Sequence, residues 1–243
     1  MTRLLNGIVA FGSVLLLAVT LIGAGFAAVA IPDAATATLS RAFSGCDQPN
    51  TPFTADELAS MAIAGKHYTF DDNDREKLDA AIAKANAAAE ADGRTNALSR
   101  ESAARTLPTD AISHLDDVYR VASVAKPALV IVAVLCIAGL AHVAVRISRR
   151  ALGRTLMAGG GLVLAAFCAL GAWAAIDFDG LFAAFHSLFF QAGTWTFPYD
   201  SLLITLYPTA FWMGMGSIWL AVTCGLSILA VLIGFTLGHK QHD

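Results

Sequence analysis

Four long apolar runs constrain this chain more than any other feature. They cover about Leu4–Ile31, Pro127–Val145, Thr155–Ile176 and Phe211–Leu237. Each has roughly the 20 residues a helix needs to cross a bilayer core. In lipid only internal hydrogen bonding satisfies the backbone, so each run is predicted to be a helix. Only 14% of the residues are charged and 56% are hydrophobic, which is too apolar for the surface of a soluble domain of this size. The first run exceeds the roughly 7–15 residues of a secretory signal core, so it reads as an uncleaved anchor.

Arginine placement orients the spans. The link 146–154, RISRRALGR, holds Arg146, Arg149, Arg150 and Arg154 and no acid. Such a cluster is expected on the cytoplasmic side. Both termini, including the tail 238–243, then face the cytoplasm, and residues 32–126 and 177–210 face outward. The fold class that follows is an all-α polytopic membrane protein. Its four transmembrane helices occupy 1–31, 127–145, 155–176 and 211–237. A small, mainly helical extracytoplasmic domain (32–126) separates the first two, and a re-entrant or interfacial segment (177–210) precedes the fourth. The net charge of −3 and the scattered basic residues exclude a nucleic-acid footprint.

Helix signals organise the outward domain. Thr54 and Glu57 form a capping-box pattern that opens a helix to about Ala64, with Gly65 as its stop. Tyr68-Thr69-Phe70 reads as a short extended piece. Asn73 with Glu76 opens a second helix, which carries Leu78, Ile82, Ala85 and Ala89 at helical spacing and ends at Gly93. Residues 94–106 are polar and read as a loop. A third helix runs from near Pro108 to Val124 and leads into the second span, where Pro127 marks a bend. On it Asp110, His114 and Asp117 share a face, which places an imidazole between two carboxylates near the outer membrane surface. Ile112, Leu115 and Tyr119 lie on a different side and suit packing.

The segment before the fourth span is the other unusual stretch. Residues 185–212 read FHSLFFQAGTWTFPYDSLLITLYPTAFW. Pro198 and Pro208 would break a spanning helix, and the aromatics prefer the level of the lipid headgroups. An imidazole there, His186, is costly unless it is used or well paired. Of the other histidines, His67 reads as part of a surface turn and His142 as a side chain near the cytoplasmic end of its span. His239 and His242 lie in a polar tail and are assigned no role. Cys136, Cys168 and Cys224 fall inside spans and read as small core residues, while Cys46 faces outward without an outward partner. No C-x-x-C spacing occurs, and no metal site is expected.

Taken together, SHLDDVYRV before the second span and the 185–212 segment before the fourth resemble the lipoprotein intramolecular transacylases (Lit). The shared pattern is H-hydrophobic-x-D-V, then F-H-x-x-F-F, a Trp-x-Phe, and L-I-x-L-x-P-x-x-F. His114 matches the histidine of the first motif and His186 that of the second. The resemblance implies a histidine pair at the outer membrane face. It also implies transfer of an acyl chain within one diacylglyceryl-modified lipoprotein, from the sn-2 ester to the α-amine of the N-terminal cysteine. The partners implied are a diacylated lipoprotein and membrane lipid, in a bacterial cell membrane, and no cofactor is implied. Two positions depart from the family pattern: Thr209 and Gly214 stand where family members often carry acids, so any such role would fall to Asp200, Asp116 or Asp117.

The chemistry suits these residue types. Aminolysis of an ester needs a base for the amine proton, a donor to the oxyanion, and an acid for the departing glyceryl oxygen. An imidazole, with an ordinary pKa near 6.5, serves both proton steps near neutral pH. The candidate catalytic residues are therefore His114 and His186. Asp117, Trp195, Tyr199 and Ser201 are candidates for orienting substrate or donating to the oxyanion, and Phe185, Phe189, Phe190, Trp195 and Phe197 for lining acyl-chain grooves. Two other readings stay open. In one, His114, Asp117 and His186 hold zinc in a membrane hydrolase. In the other, the chain is a membrane scaffold or accessory subunit whose outward domain binds a partner.

Overall fold

The computed structural model describes residues 2–95 and 102–239. Among the described residues there are helices and no strands. In chain order the helices are α1 (Thr2–Ala30), α2 (Asp33–Phe43), α3 (Ala55–Phe70), α4 (Arg75–Ala91), α5 (Ser102–Arg105), α6 (Thr109–His142), α7 (Arg149–Ile176), α8 (Phe178–Ser187), α9 (Leu202–Leu206) and α10 (Thr209–His239). A π-helical segment, Val143–Ile147, follows α6. Four helical stretches are long and apolar enough to cross a membrane: Arg3–Ala30, Ala103–Ile147, Arg149–Ile176 and Thr209–His239.

The chain divides into two compact units. One comprises the stretch ending at Val29, Ala125–Asp177, and the stretch from Ser217 onward. Its core holds Leu17, Leu21, Cys136, Val163 and Phe167. Small residues let its helices approach closely, as expected where lipid supplies no hydrophobic drive between helices. A Cβ at Gly160 would meet the Ser227 carbonyl oxygen at 2.7 Å, and one at Gly159 would meet the Leu17 side chain at the same distance. Trp219 packs edge-on against Phe167, and its indole N–H donates to the Ile22 carbonyl at 3.2 Å. His142 donates through Nε2 to the Asn6 side-chain oxygen at 3.2 Å. Cys136 is buried in this core and Cys224 packs half-buried against it, while Cys168 is exposed, so the expected core role fails for Cys168.

The second unit comprises Ala30–Val124 and Phe178–Gly216. Its core joins Leu58 and Met61 of α3, Leu78 and Ile82 of α4, Ile112 and Leu115 of α6, and Leu202 and Leu206 of α9. The capping box at Thr54 and Glu57 forms in full. Glu57 also receives both guanidinium nitrogens of Arg94, at 2.9 and 2.7 Å, which ties the start of α3 to the turn after α4. The predicted apolar stripe of α4 is buried throughout, and Gly93 follows it at φ +64°.

Several local expectations change. Helix α3 does not stop at Gly65 but continues through Tyr68-Thr69-Phe70, which is helical and not extended. Gly65 is there for packing: the Tyr207 side chain lies against it, and the Tyr207 hydroxyl donates to the Ala62 carbonyl at 2.7 Å. The cap of α4 is Asp74, whose carboxylate accepts from Lys77 N at 3.2 Å. Asn73 instead takes a left-handed conformation at φ +53° and donates to Asp116 at 3.3 Å. Within the expected loop 94–106 a short helix, α5, forms, held by Arg105 on Asn86 and Glu90 of α4. The rest of that loop, 96–101, lies outside the described residues, as does His242. The third outward helix and the second span are one helix, α6, with Pro127 in its interior. Helix α2 has no counterpart among the sequence signals, because DAATATLSRAF offers neither a capping side chain before it nor a clean apolar period.

Candidate functional site

His114 sits two turns into α6 because Ile112 and Leu115 beside it are drawn into the core of the second unit, at 8% and 6% exposure. It lies thirteen residues before Pro127, about 20 Å along a helix, in the polar first part of the Ala103–Ile147 stretch and ahead of its apolar run. His186 lies at the end of α8. There the chain turns back through Phe190, whose N–H donates to the His186 carbonyl at 2.9 Å. That turn brings Phe190 edge-on to His114 at 4.9 Å. The two imidazoles stand 6.1 Å apart, centroid to centroid, at an interplanar angle of 29°. Aromatic rings enclose them: Phe182 lies 4.0 Å from His186, Trp195 4.8 Å from His186, and Phe197 5.6 Å from His114.

The two histidines are held differently. His186 Nδ1 lies 2.9 Å from the Phe182 carbonyl oxygen. A carbonyl only accepts, so Nδ1 carries the proton and Nε2 presents the lone pair. His114 is 8% exposed, and its Nδ1 is buried with no hydrogen-bond partner. No carboxylate therefore grips His114 at Nδ1, which corrects the expected Asp–His–Asp arrangement. Asp110 accepts from its neighbour's backbone N–H at 2.9 Å, and Asp117 pairs with Arg120 at 2.9 Å. Burial first, and then the proximity of His186, lower the His114 pKa to about 4, with Asp117 opposing. Burial also lowers that of His186, against the hydrogen bond to Phe182. Burial thus favours the neutral form of both rings, the form that takes a proton.

The low His114 value carries a stability prediction. Its folded-state pKa lies below the ordinary value near 6.5, so the unfolded chain binds more protons between pH 6.5 and 4. Stability is therefore full above pH 6.5 and falls as the pH drops. By pH 4 the wild type is expected to lose about 3 kcal/mol more than His114→Asn. Unfolding curves of both proteins in detergent at pH 7, 5.5 and 4 check this; parallel curves refute it.

The other candidate residues divide. Trp195 is part of the aromatic cluster, and its indole nitrogen is buried without a partner. Leaving such a group unpaired costs about 1–3 kcal/mol. Ser201 instead caps α9, its hydroxyl accepting from Ile204 N at 3.4 Å, and it is 2% exposed. Tyr199 is 63% exposed and its hydroxyl donates to the Asp47 carbonyl at 3.3 Å. Asp116 is committed to structure, accepting from the Tyr68 hydroxyl at 2.5 Å and from Asn73. Gly214 has Leu39 of α2 against it, 2.6 Å from where a Cβ would stand, so an acid there would displace packing. Asp117 and Arg120, with Val121, Phe189, Phe190, Gln191 and Thr194, line an open cleft of about 410 Å³ beside the histidines. His67 is not in a turn but in the last helical turn of α3, bonded to Asp71 and Asp33. No sequence signal pointed to Phe182, which both seats His186 and fixes its tautomer.

A metal centre is not built here. Among the described residues no three His, Cys, Asp or Glu side chains converge as metal ligands. The zinc reading of His114, Asp117 and His186 thus lacks a ligand cluster.

The fold matches that of solved membrane proteins. The membrane integral lipoprotein intramolecular transacylase Lit from Bacillus cereus is 17% identical and superposes with a TM-score of 0.72, over 98% of this chain and 97% of that one. Two further structures of that protein, each with one histidine replaced, by alanine or by arginine, superpose with TM-scores of 0.69 and 0.66 at the same identity. They cover 99% of this chain, and 96% and 95% of their own. No curated protein sequence matches the chain. The family model of the lipoprotein intramolecular transacylase Lit matches residues 85–212, which include both histidines and every ring around them. That match spans more than half of the sequence, and the chain belongs to the lipoprotein intramolecular transacylase family, Lit.

Proposed function

We propose that His114 and His186 carry the proton transfers of an intramolecular O-to-N acyl transfer. The chain is a multi-pass membrane protein and an acyltransferase of lipoproteins. The observation that carries the proposal is the pair of imidazoles 6.1 Å apart in one aromatic enclosure. The substrate is a diacylglyceryl-modified N-terminal cysteine. Its α-amine attacks the carbonyl carbon of the sn-2 ester, the C–N bond forms, and His186 Nε2 takes the amine proton. The tetrahedral oxyanion collapses, the C–O bond breaks, and the glyceryl oxygen takes a proton from imidazolium. The products are an amide and a free glyceryl hydroxyl, with no atom gained or lost.

Positioning supplies much of the rate. Donor and acceptor sit on one molecule, and holding them together is worth roughly 7–11 kcal/mol of barrier. The neighbouring aromatic rings Phe185 and Phe189, 46% and 48% exposed, offer an apolar surface for acyl chains. Asp117, which lines the cleft, would attract the substrate ammonium in competition with Arg120. The arginines of 146–154 support a cytoplasmic location for that link and both termini, with the histidine pair on the extracytoplasmic face.

The test is tandem mass spectrometry of a diacylated lipoprotein incubated with the purified enzyme. The intact mass is expected to stay constant while the N-terminal fragment gains an amide-linked acyl chain and loses an ester-linked one. Loss of a whole fatty acid from the intact mass would mark a hydrolase and overturn the proposal.

A further inference from the structure

We infer that the Trp195 indole N–H is the oxyanion donor of the acyl transfer. The inference rests on the reading of His114 and His186 as the proton-transfer pair. Among the described residues, two buried polar atoms of this site have no hydrogen-bond partner, His114 Nδ1 and Trp195 Nε1. Both belong to one ring cluster, since His114 lies 6.1 Å from His186 and His186 lies 4.8 Å from Trp195. Trp219, the other tryptophan whose indole N–H has a described bond, gives it to a backbone carbonyl at 3.2 Å. Trp195 Nε1 has no such acceptor among the described residues.

The local fold holds the indole in place. Gly193, at φ +87°, turns the chain just ahead of it, and Thr194 closes that turn through its N–H on the Gln191 carbonyl at 3.2 Å. Phe182 lies 6.4 Å from the indole and nearly perpendicular to it. An indole N–H is a donor only and does not exchange its proton in this pH range. It can stabilise a developing oxyanion but cannot act as the acid, so it complements the two imidazoles without competing for their protons. In the tetrahedral intermediate the former ester carbonyl oxygen bears the negative charge. Trp195 donates its hydrogen bond to that oxygen, and the proton stays on the indole. Donors fixed in a water-poor site before reaction act most strongly on charge that appears only in the transition state.

Trp195→Phe and Trp195→Leu test the inference, because both keep an apolar side chain and neither can donate a hydrogen bond. Each is expected to lower kcat about 10²–10³-fold with KM within about threefold of wild type. Removing an unpaired buried donor should leave the melting temperature unchanged or raise it. Either variant with kcat within about threefold of wild type overturns the inference. So does a fall in kcat matched by a fall in melting temperature in both variants, which marks a packing role. Histidine variants run beside them separate the two proposals. If these keep full conversion, the proton-transfer reading fails on its own account, whatever Trp195 does.

Discussion

His186→Ala is expected to reduce acyl transfer about 10²–10⁴-fold, the usual contribution of a positioned general acid–base group. The argument is geometric. The Phe182 carbonyl fixes the proton on Nδ1, so the only basic nitrogen of this ring is Nε2. Burial favours the neutral form of the ring, the form that accepts a proton. His186→Ala deletes the base but leaves Phe190, Trp195 and the cleft walls in place, and KM is expected to change little. Single-turnover conversion of a diacylated lipoprotein, read by tandem mass spectrometry, measures the loss. A second variant, His186→Gln, keeps bulk and a hydrogen-bonding end without a basic nitrogen and should be equally slow. Wild-type rates in both would remove His186 from the chemistry.

Much of this site was legible in the sequence, for identifiable reasons. The spans follow from apolar length alone, and α4 from four apolar residues at helical spacing between two polar ends. His186 was visible because an imidazole in an apolar, proline-broken stretch is costly without a use. His114 was visible through its motif, but its surroundings were misread. Spacing puts Asp110 and Asp117 on its face, yet spacing does not say which partner a carboxylate takes. Asp117 turns to Arg120 three residues on, and Asp110 to its own backbone, leaving the imidazole with aromatic neighbours. A sequence also does not show that the Ser201 hydroxyl accepts as a helix cap or that the Tyr199 hydroxyl donates across the fold. Gly65 shows the same limit. A glycine near a helix end reads as a stop, but here it makes room for a ring more than 140 residues later in the chain. Departures from the family pattern also gained physical content, since Leu39 occupies the space that an acid at Gly214 would need.

His114→Asn is expected to be about as damaging as His186→Ala, and the double variant scarcely worse than either. The two rings stand 6.1 Å apart in one enclosure, and His186 bears on the charge state of His114. If one imidazole takes the amine proton and the pair delivers a proton to the glyceryl oxygen, both are needed for a single turnover. Residues that act as a unit lose their effect together, so removing the second after the first costs little more. The double variant should therefore fall within about threefold of the slower single variant, whereas independent roles would multiply the two losses. His114→Asn should also leave binding intact, because Phe190 and Phe197, which touch the ring, remain to shape the site. Single-turnover rates of the two single variants and the double variant decide the matter. Multiplied losses would mean that the histidines serve separate steps, and an active His114→Asn would leave His186 as the sole base.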